Sequence, residues 1–151
     1  MTAMSATETM QDDTGRDGLL EDVRVLIVDD DQDVRESMDA AFQAEGALTM
    51  ALGDGNSAVE VVAKDPPDIV ILDMMLPGRS GFLALEKIKG NPDSPLVIMV
   101  TANEGKRHQA YAERLGVDGY MLKPVPLGRL IDEVVRLLDE DDRELEGDDD
   151  E

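Results

Sequence analysis

The chain of 151 residues contains no cysteine, a single histidine and few aromatic residues. Without cysteine, disulfide bonds, thiolate nucleophiles and zinc–thiolate sites are excluded, and the composition fits a reducing compartment. Every apolar run is shorter than the roughly 18 residues that a membrane span needs, and residues 1–18 lack the apolar core of a signal peptide. We therefore expect a cytoplasmic protein that does not interact with membranes.

Basic residues are also scarce, because 14 lysines and arginines face 35 acidic residues, for a net charge of −21. Such a surface repels phosphate backbones, so direct binding to DNA or RNA is not expected. Residues 1–20 carry a charge of −3 and residues 139–151 a charge of −9. We predict that both segments are disordered. For the acidic tail three interpretations stay open: a solubilising segment, a docking site for a partner, or an adaptation to high salt.

Residues 21–138 have the pattern of one α/β domain, in which short apolar runs alternate with amphipathic helical segments. Five strands alternating with five helices predict a parallel sheet with helices on both faces. Right-handed crossovers place the C-terminal ends of all strands at one edge, where open α/β sheets bind their ligands. The predicted strands are Val23–Val28, Ala47–Leu52, Ile69–Leu72, Leu96–Val100 and Tyr120–Leu122.

Acidic residues follow two of these strands directly. Asp29 and Asp30 come after the first strand, and Asp73 comes after the third. Three neighbouring carboxylates repel one another and need a counter-charge. Oxygen ligands that stay open to water favour Mg²⁺. The alternative is that one acid caps the first helix and the others are solvated loop residues.

Polar residues of a different kind follow two further strands. Thr101 supplies a hydroxyl and Lys123 an ammonium, and both groups suit phosphate oxygens. Either residue alone at a strand end carries little information. Together with the acids they indicate a phosphoryl site, in which a carboxylate attacks in line and forms an acyl phosphate.

These polar strand ends lie in four short motifs, which resemble in their order the response regulator receiver domain (chemotaxis-regulator-like) of two-component signalling. The resemblance covers residues 23–138 and implies a flavodoxin-like, doubly wound (βα)5 fold with strand order 2-1-3-4-5. The motifs are Val28-Asp29-Asp30, Leu72-Asp73-Met74-Met75-Leu76-Pro77 with Gly81, Val100-Thr101-Ala102, and Gly119-Tyr120-Met121-Leu122-Lys123-Pro124.

The resemblance implies a role for each acid. Asp73 matches the phosphoacceptor and is also a metal ligand. Asp29 and Asp30 match the acidic pair that holds Mg²⁺, Asp30 directly and Asp29 partly through water. Met75 matches a residue that offers the metal only its backbone carbonyl.

It also implies how a bound phosphoryl group is sensed. Thr101 and Lys123 match the residues that contact the phosphoryl group, and the Lys123–Pro124 peptide bond is expected to be cis. Tyr120 matches the aromatic switch residue, with simple space filling on the fifth strand as the alternative. In the family, phosphorylation draws the threonine towards the phosphate, the aromatic ring turns inward and the fourth helix shifts.

We therefore expect a single-domain response regulator and not an enzyme, since only thirteen residues follow Leu138. The expected phosphoryl donor is a sensor histidine kinase or a phosphotransfer protein. The signal is expected to pass through the face formed by helix 4, strand 5 and helix 5 to an unknown partner protein. A monomer, or a weak dimer that depends on phosphorylation, is expected.

Three alternatives keep part of this interpretation. The first is a small Mg²⁺-dependent aspartyl-phosphate phosphatase or phosphotransferase, although Met75 stands where haloacid-dehalogenase-type enzymes carry their general acid. The second is a flavodoxin-like nucleotide carrier, although Asp29-Asp30-Asp31 repels a phosphate. The third is a scaffold that keeps the fold but is locked in one state.

Overall fold

Five apolar runs form the strands of one sheet, and the segments between them form five helices. The computed structural model describes residues 18–102 and 105–150, with side chains as far as residue 142. The elements in chain order are β1 (Arg24–Val28), α1 (Gln32–Ala44), β2 (Leu48–Leu52), α2 (Gly55–Lys64), β3 (Ile69–Leu72), α3 (Gly81–Lys89), β4 (Leu96–Thr101), α4 (Lys106–Arg114), β5 (Gly119–Leu122) and α5 (Leu127–Asp150).

All neighbouring strands are parallel, and their order is β2-β1-β3-β4-β5. This order confirms the predicted doubly wound fold. The last residues of the strands pair with one another: Val28 with Leu72, and Thr101 with Leu122. The loops after β1, β3, β4 and β5 therefore leave the same edge of the sheet.

Strand side chains alternate between two buried layers, since successive residues of a strand point to opposite faces. Ile27 and Ile71 pack on one face in the layer formed with α1 and α5, which includes the fully buried Phe42. Val70 and Leu72 pack on the other face with α2, α3 and α4. Burial on both faces explains why these strands are continuous apolar runs without polar alternation.

Contacts with the core begin just before residue 21, the predicted start of the domain. Leu20 is almost completely buried in the layer of α1 and α5, and its N–H donates to the carbonyl of Glu45 (3.0 Å). The N–H of Asp22 donates to the carbonyl of Gly46 (3.0 Å). Of the predicted N-terminal disordered segment, residues 1–17 lie outside the described part of the chain.

The last helix continues as far as Asp150, whereas the sequence placed the start of a disordered tail at residue 139. An ion pair one turn apart crosses the predicted boundary at residue 139, because the Arg136 guanidinium bonds to Glu140 (2.7 Å). Glu151 lies outside the described residues, and the division into domain and tails stays a prediction.

Helix α4 is the least buried of the shorter helices. Among its residues only Ala112 is buried, and Gly105 at its N-cap position has no side chain that could cap it. Helix α4 therefore contributes little to the core. No helix in the described ranges combines the length and the apolar character that a membrane crossing requires.

Candidate functional site

The carboxylates of Asp29, Asp30 and Asp73 meet at the edge where β1 and β3 end. The strand pairing continues past both strands, since the N–H of Asp73 donates to the carbonyl of Val28 (2.9 Å). One carboxylate oxygen from each acid lies within 4.8 Å of the others. Asp29 and Asp73 are buried (2% and 5% exposed), whereas Asp30 is exposed. Three oxygen ligands with one side open to solvent suit Mg²⁺, which keeps several water ligands.

A different acid caps the first helix. Asp31 is the N-cap residue of α1, and its carboxylate accepts hydrogen bonds from the N–H groups of Asp33 (2.9 Å) and Val34 (3.2 Å). The helix start therefore requires neither Asp29 nor Asp30 as its cap. Asp29 and Asp30 can therefore bind a cation without loss of the helix cap.

Lys123 provides the positive charge among these acids. Its ammonium lies 2.7 Å from a carboxylate oxygen of Asp29 and 3.6 Å from one of Asp73. Burial alone would lower the pKa of Lys123, but the hydrogen bond to Asp29 and the charges of Asp73 and Asp29 raise it above its ordinary value. Lys123 therefore stays protonated in the folded protein.

One ammonium does not compensate for three carboxylates. Burial raises the pKa of Asp73 to about 6, and the charges of Asp29 and Asp30 act in the same direction. Lys123 and a hydrogen bond from the N–H of Met75 oppose this increase without cancelling it. The cluster is therefore short of positive charge, as expected of residues that bind a cation.

The ends of β4 and β5 bring Thr101 and Lys123 next to each other. The N–H of Lys123 donates to the carbonyl of Thr101 (2.9 Å), and Thr101 is completely buried. The Lys123–Pro124 peptide bond is cis, which confirms that prediction. The hydroxyl-bearing residue and the ammonium-bearing residue thus leave adjacent strands at the edge that carries the acids.

A tight loop follows Asp73. The N–H of Gly81 donates to the carbonyl of Met74 (2.8 Å), and a Cβ at Gly81 would collide with the carbonyl of Asp73 and with the Cα of Met74. Only glycine fits this close approach of two backbone segments. The Met75 side chain is exposed, and its thioether does not suit a hard cation such as Mg²⁺. The role of its backbone carbonyl as a metal ligand stays a prediction.

Tyr120 lies on β5 with its ring against the layer of α2, α3 and α4. Its hydroxyl is buried and finds no hydrogen-bond partner among the described residues, and burial raises its pKa. A buried phenol lacking a partner is uncommon, because a hydroxyl loses its water on burial. The ring therefore occupies an inward position, while its predicted switch role stays a prediction.

A model of the family described as "response regulator receiver domain" matches residues 25–135, which is more than half of the chain. The chain belongs to the response regulator receiver domain family. The matched range contains all seven predicted site residues. Recognition from the four motifs is thereby confirmed.

Solved receiver domains have the same fold. A CheY-like response regulator receiver domain protein from Methanospirillum hungatei JF-1 is 26% identical with a TM-score of 0.77, and the match covers 82% of this chain and 99% of that one. CheY of Borrelia burgdorferi, in a complex with CheX, BeF3 and Mg²⁺, is 25% identical with a TM-score of 0.72 (77% and 89% covered). NtrX of Brucella abortus is 27% identical with a TM-score of 0.79; the match covers 86% of this chain and 30% of NtrX.

Two contacts near the site were missed by the sequence reasoning. His108 of α4 is half-buried, and its ring stacks on Phe82 of α3 (centroids 5.8 Å apart). Arg35 of α1 donates from Nη1 to the backbone carbonyl of Asp29 (2.8 Å). The only sequence signal for Arg35 is a basic residue in the first turn of a helix, one turn after the acids.

Proposed function

We propose that this receiver domain is a phosphoacceptor switch in which Asp73 takes a phosphoryl group from a histidine kinase or phosphotransfer protein. The observation that carries the proposal is the setting of the Asp73 carboxylate. It is buried, its oxygen lies within 4.8 Å of ligand oxygens of Asp29 and Asp30, and the Lys123 ammonium is 3.6 Å away. This arrangement joins a nucleophile, a cation-binding set and a fixed positive charge.

The residues have complementary tasks in the transfer. A carboxylate oxygen of Asp73 forms a bond to phosphorus while the bond from phosphorus to the donor histidine nitrogen breaks; the nitrogen keeps the electron pair and then takes up a proton. Asp29, Asp30 and Asp73, with the carbonyl of Met75, would hold Mg²⁺, which supplies charge neutralisation and orientation of the phosphoryl oxygens when bound. Lys123 and Thr101 contact the transferred group. Above its pKa of about 6, Asp73 is predominantly the anion that this attack requires.

The phosphoryl group is then reported through the face formed by α4, β5 and α5. Thr101 is drawn towards the phosphoryl group, and the ring of Tyr120 then changes its position next to Thr101. Helix α4 is suited to move, because Ala112 alone is buried among its residues and few contacts hold it. The output passes to a partner protein, as the similarity to a CheY bound to CheX with BeF3 and Mg²⁺ supports. Location in the cytoplasm is part of the proposal.

Phosphorylation can be measured directly by incubating the protein with acetyl phosphate or phosphoramidate and Mg²⁺. Intact-protein mass spectrometry should show one added phosphoryl group that hydroxylamine removes, as expected of an acyl phosphate. Asp73→Asn should not be labelled, whereas Asp93→Asn, which removes an exposed acid of the α3–β4 loop, should be labelled like the wild type. Equal labelling of Asp73→Asn would refute the proposal, and many turnovers of a generic phosphate ester would favour a phosphatase.

Switching can be tested with beryllofluoride and Mg²⁺ by following amide chemical shifts. We expect shifts at Thr101, Tyr120 and throughout α4 in addition to those beside Asp73. The matched control is the same titration of Asp73→Asn, which should show none of them. Shifts confined to the loop after Asp73 would mean that the domain binds the phosphate mimic but does not switch.

A further inference from the structure

Arg35 connects the first helix to the loop that carries two of the acids. Its Nη1 donates to the carbonyl of Asp29 (2.8 Å), and its own N–H bonds to the carbonyl of Asp31 (3.0 Å). On its other side the guanidinium lies against the turn after β2, where a Cβ added at Gly53 would be 3.1 Å from Nη1. The guanidinium is therefore held between the β1–α1 and β2–α2 turns.

This position is unfavourable for the helix itself. Arg35 lies in the first turn of α1, where the positive end of the helix dipole repels a cation. The hydrogen bond to the Asp29 carbonyl opposes that repulsion. The guanidinium therefore bonds to the loop that carries the acids and not to a neighbour within the helix.

The hydrogen bond from Arg35 is made to the peptide group that joins Asp29 to Asp30. Asp29 is already fixed, since its N–H donates to Leu52 (3.1 Å) and its carboxylate accepts from the N–H of Asp31 (2.9 Å) and from Lys123 (2.7 Å). The exposed carboxylate of Asp30 accepts no hydrogen bond from the described residues. Because a peptide unit is planar, holding the Asp29 carbonyl fixes the plane that leads into Asp30.

We propose that Arg35 is a positioning residue for the cation site, acting on Asp30 through the Asp29–Asp30 peptide. The inference rests on the proposed function, in which these acids bind Mg²⁺. A neutral substitution of Arg35 has opposite expected effects on Mg²⁺ affinity, depending on whether the residue acts by positioning or only by its charge. A guanidinium near the site repels Mg²⁺, so removal of its charge alone would strengthen Mg²⁺ binding, whereas loss of positioning weakens it.

The experiment is a Mg²⁺ titration followed by amide chemical shifts, carried out on the wild type, Arg35→Met and Arg114→Met. Arg114→Met is the matched control, because it removes the same charge from the last turn of α4, at the opposite edge of the sheet. We expect Mg²⁺ binding to Arg35→Met to be about 10-fold weaker, as is typical when a residue that orients a metal ligand is removed. Arg114→Met should bind like the wild type.

Two further measurements separate positioning from a purely structural role. Denaturant unfolding without Mg²⁺ reports any loss of stability, and binding is compared only for folded protein. Gly53→Ala retains all charges but crowds the guanidinium, so it should weaken Mg²⁺ binding less than Arg35→Met does. It also provides a test if Arg35→Met fails to fold.

The outcomes separate this inference from the proposed function. If the wild type shows no Mg²⁺-dependent shifts at Asp29, Asp30 and Asp73, the proposed function itself fails. If the wild type binds Mg²⁺ and Arg35→Met binds it equally well or more tightly, only the positioning role is overturned. Unchanged binding by Gly53→Ala, when Arg35→Met cannot be measured, overturns it as well.

Discussion

The charged side chains are neutralised at the edge where the strands begin but not at the edge where they end. At the edge where β4 begins, the Lys89 ammonium bonds to Asp118 (2.7 Å) and to the carbonyl of Pro95 (3.0 Å). The same oxygen of Asp118 accepts the N–H of Val97 (2.8 Å). Each of these charges is neutralised and hydrogen-bonded within the protein.

At the other edge, three acids share one ammonium, and the pKa of Asp73 is raised to about 6 as a result of burial and neighbouring charge. Removal of one partner from a hydrogen-bonded ion pair destabilises a fold, whereas removal of one charge from clustered carboxylates relieves repulsion. The edge with Lys89 and Asp118 therefore stabilises the fold, whereas the edge with the three acids has an excess of negative charge that a bound cation would neutralise.

The largest effect is expected at the neutralised edge. Lys89→Met removes the cation and leaves the partly buried Asp118 carboxylate with the Val97 N–H as its remaining partner, so the free energy of unfolding should fall by about 3 kcal/mol. Urea unfolding measures this loss, and Lys87→Met on the exposed side of the same helix is the control. Mg²⁺ affinity should not change. A loss no larger than that of Lys87→Met would remove the contrast between the edges.

The second prediction concerns the under-neutralised edge. Mg²⁺ at one hundred times its dissociation constant should stabilise the wild type by about 2.7 kcal/mol, because it binds only the folded protein. Differential scanning calorimetry with Mg²⁺ and with equal ionic strength of NaCl isolates binding from screening. Asp93→Asn should retain the full effect, and Asp30→Asn should lose most of it. An equal response to NaCl would show that the acids are merely screened.

The strand ends explain why the acids could be predicted. Apolar runs such as Ile69–Leu72 define the strands, topology rules bring their C-terminal ends to one edge, and the residue after each run is then placed without any knowledge of packing. Asp29, Asp73 and Lys123 were located in this way. The strand order, in contrast, was implied by the resemblance to the receiver domain family, and it was correct.

Contacts between side chains of distant elements could not be predicted. Lys89 and Asp118 are 29 residues apart in sequence, and nothing in their spacing pairs them. The stacking of His108 on Phe82 depends on how α4 packs against α3. A helical pattern identifies the apolar stripe of one helix but not the side chains of a neighbouring helix that meet its polar residues.

The third prediction is that removal of one carboxylate changes the stability in opposite directions at the two edges. Asp73→Asn should stabilise the metal-free protein at pH 7.5 by about 2 kcal/mol, since a shift of the pKa from 3.8 to about 6 corresponds to at most about 3 kcal/mol. Asp118→Asn, which loses its charge beside Lys89, should destabilise it. Urea unfolding in EDTA measures both. A destabilised Asp73→Asn would mean that the acid cluster contributes to the fold.

The smallest expected effect is the pH dependence of the stabilisation by Asp73→Asn. The pKa of Asp73 is higher in the folded protein than the ordinary 3.8, so its contribution to stability is fully present below pH 3.8 and is lost as the pH rises through about 6. The advantage of Asp73→Asn should therefore shrink to below about 1 kcal/mol at pH 4. Unfolding of the wild type and the variant at matched pH isolates this difference, because the other acids titrate in both proteins. An advantage that stays constant between pH 7.5 and pH 4 would have to come from packing, since asparagine at position 73 does not titrate and the aspartate does.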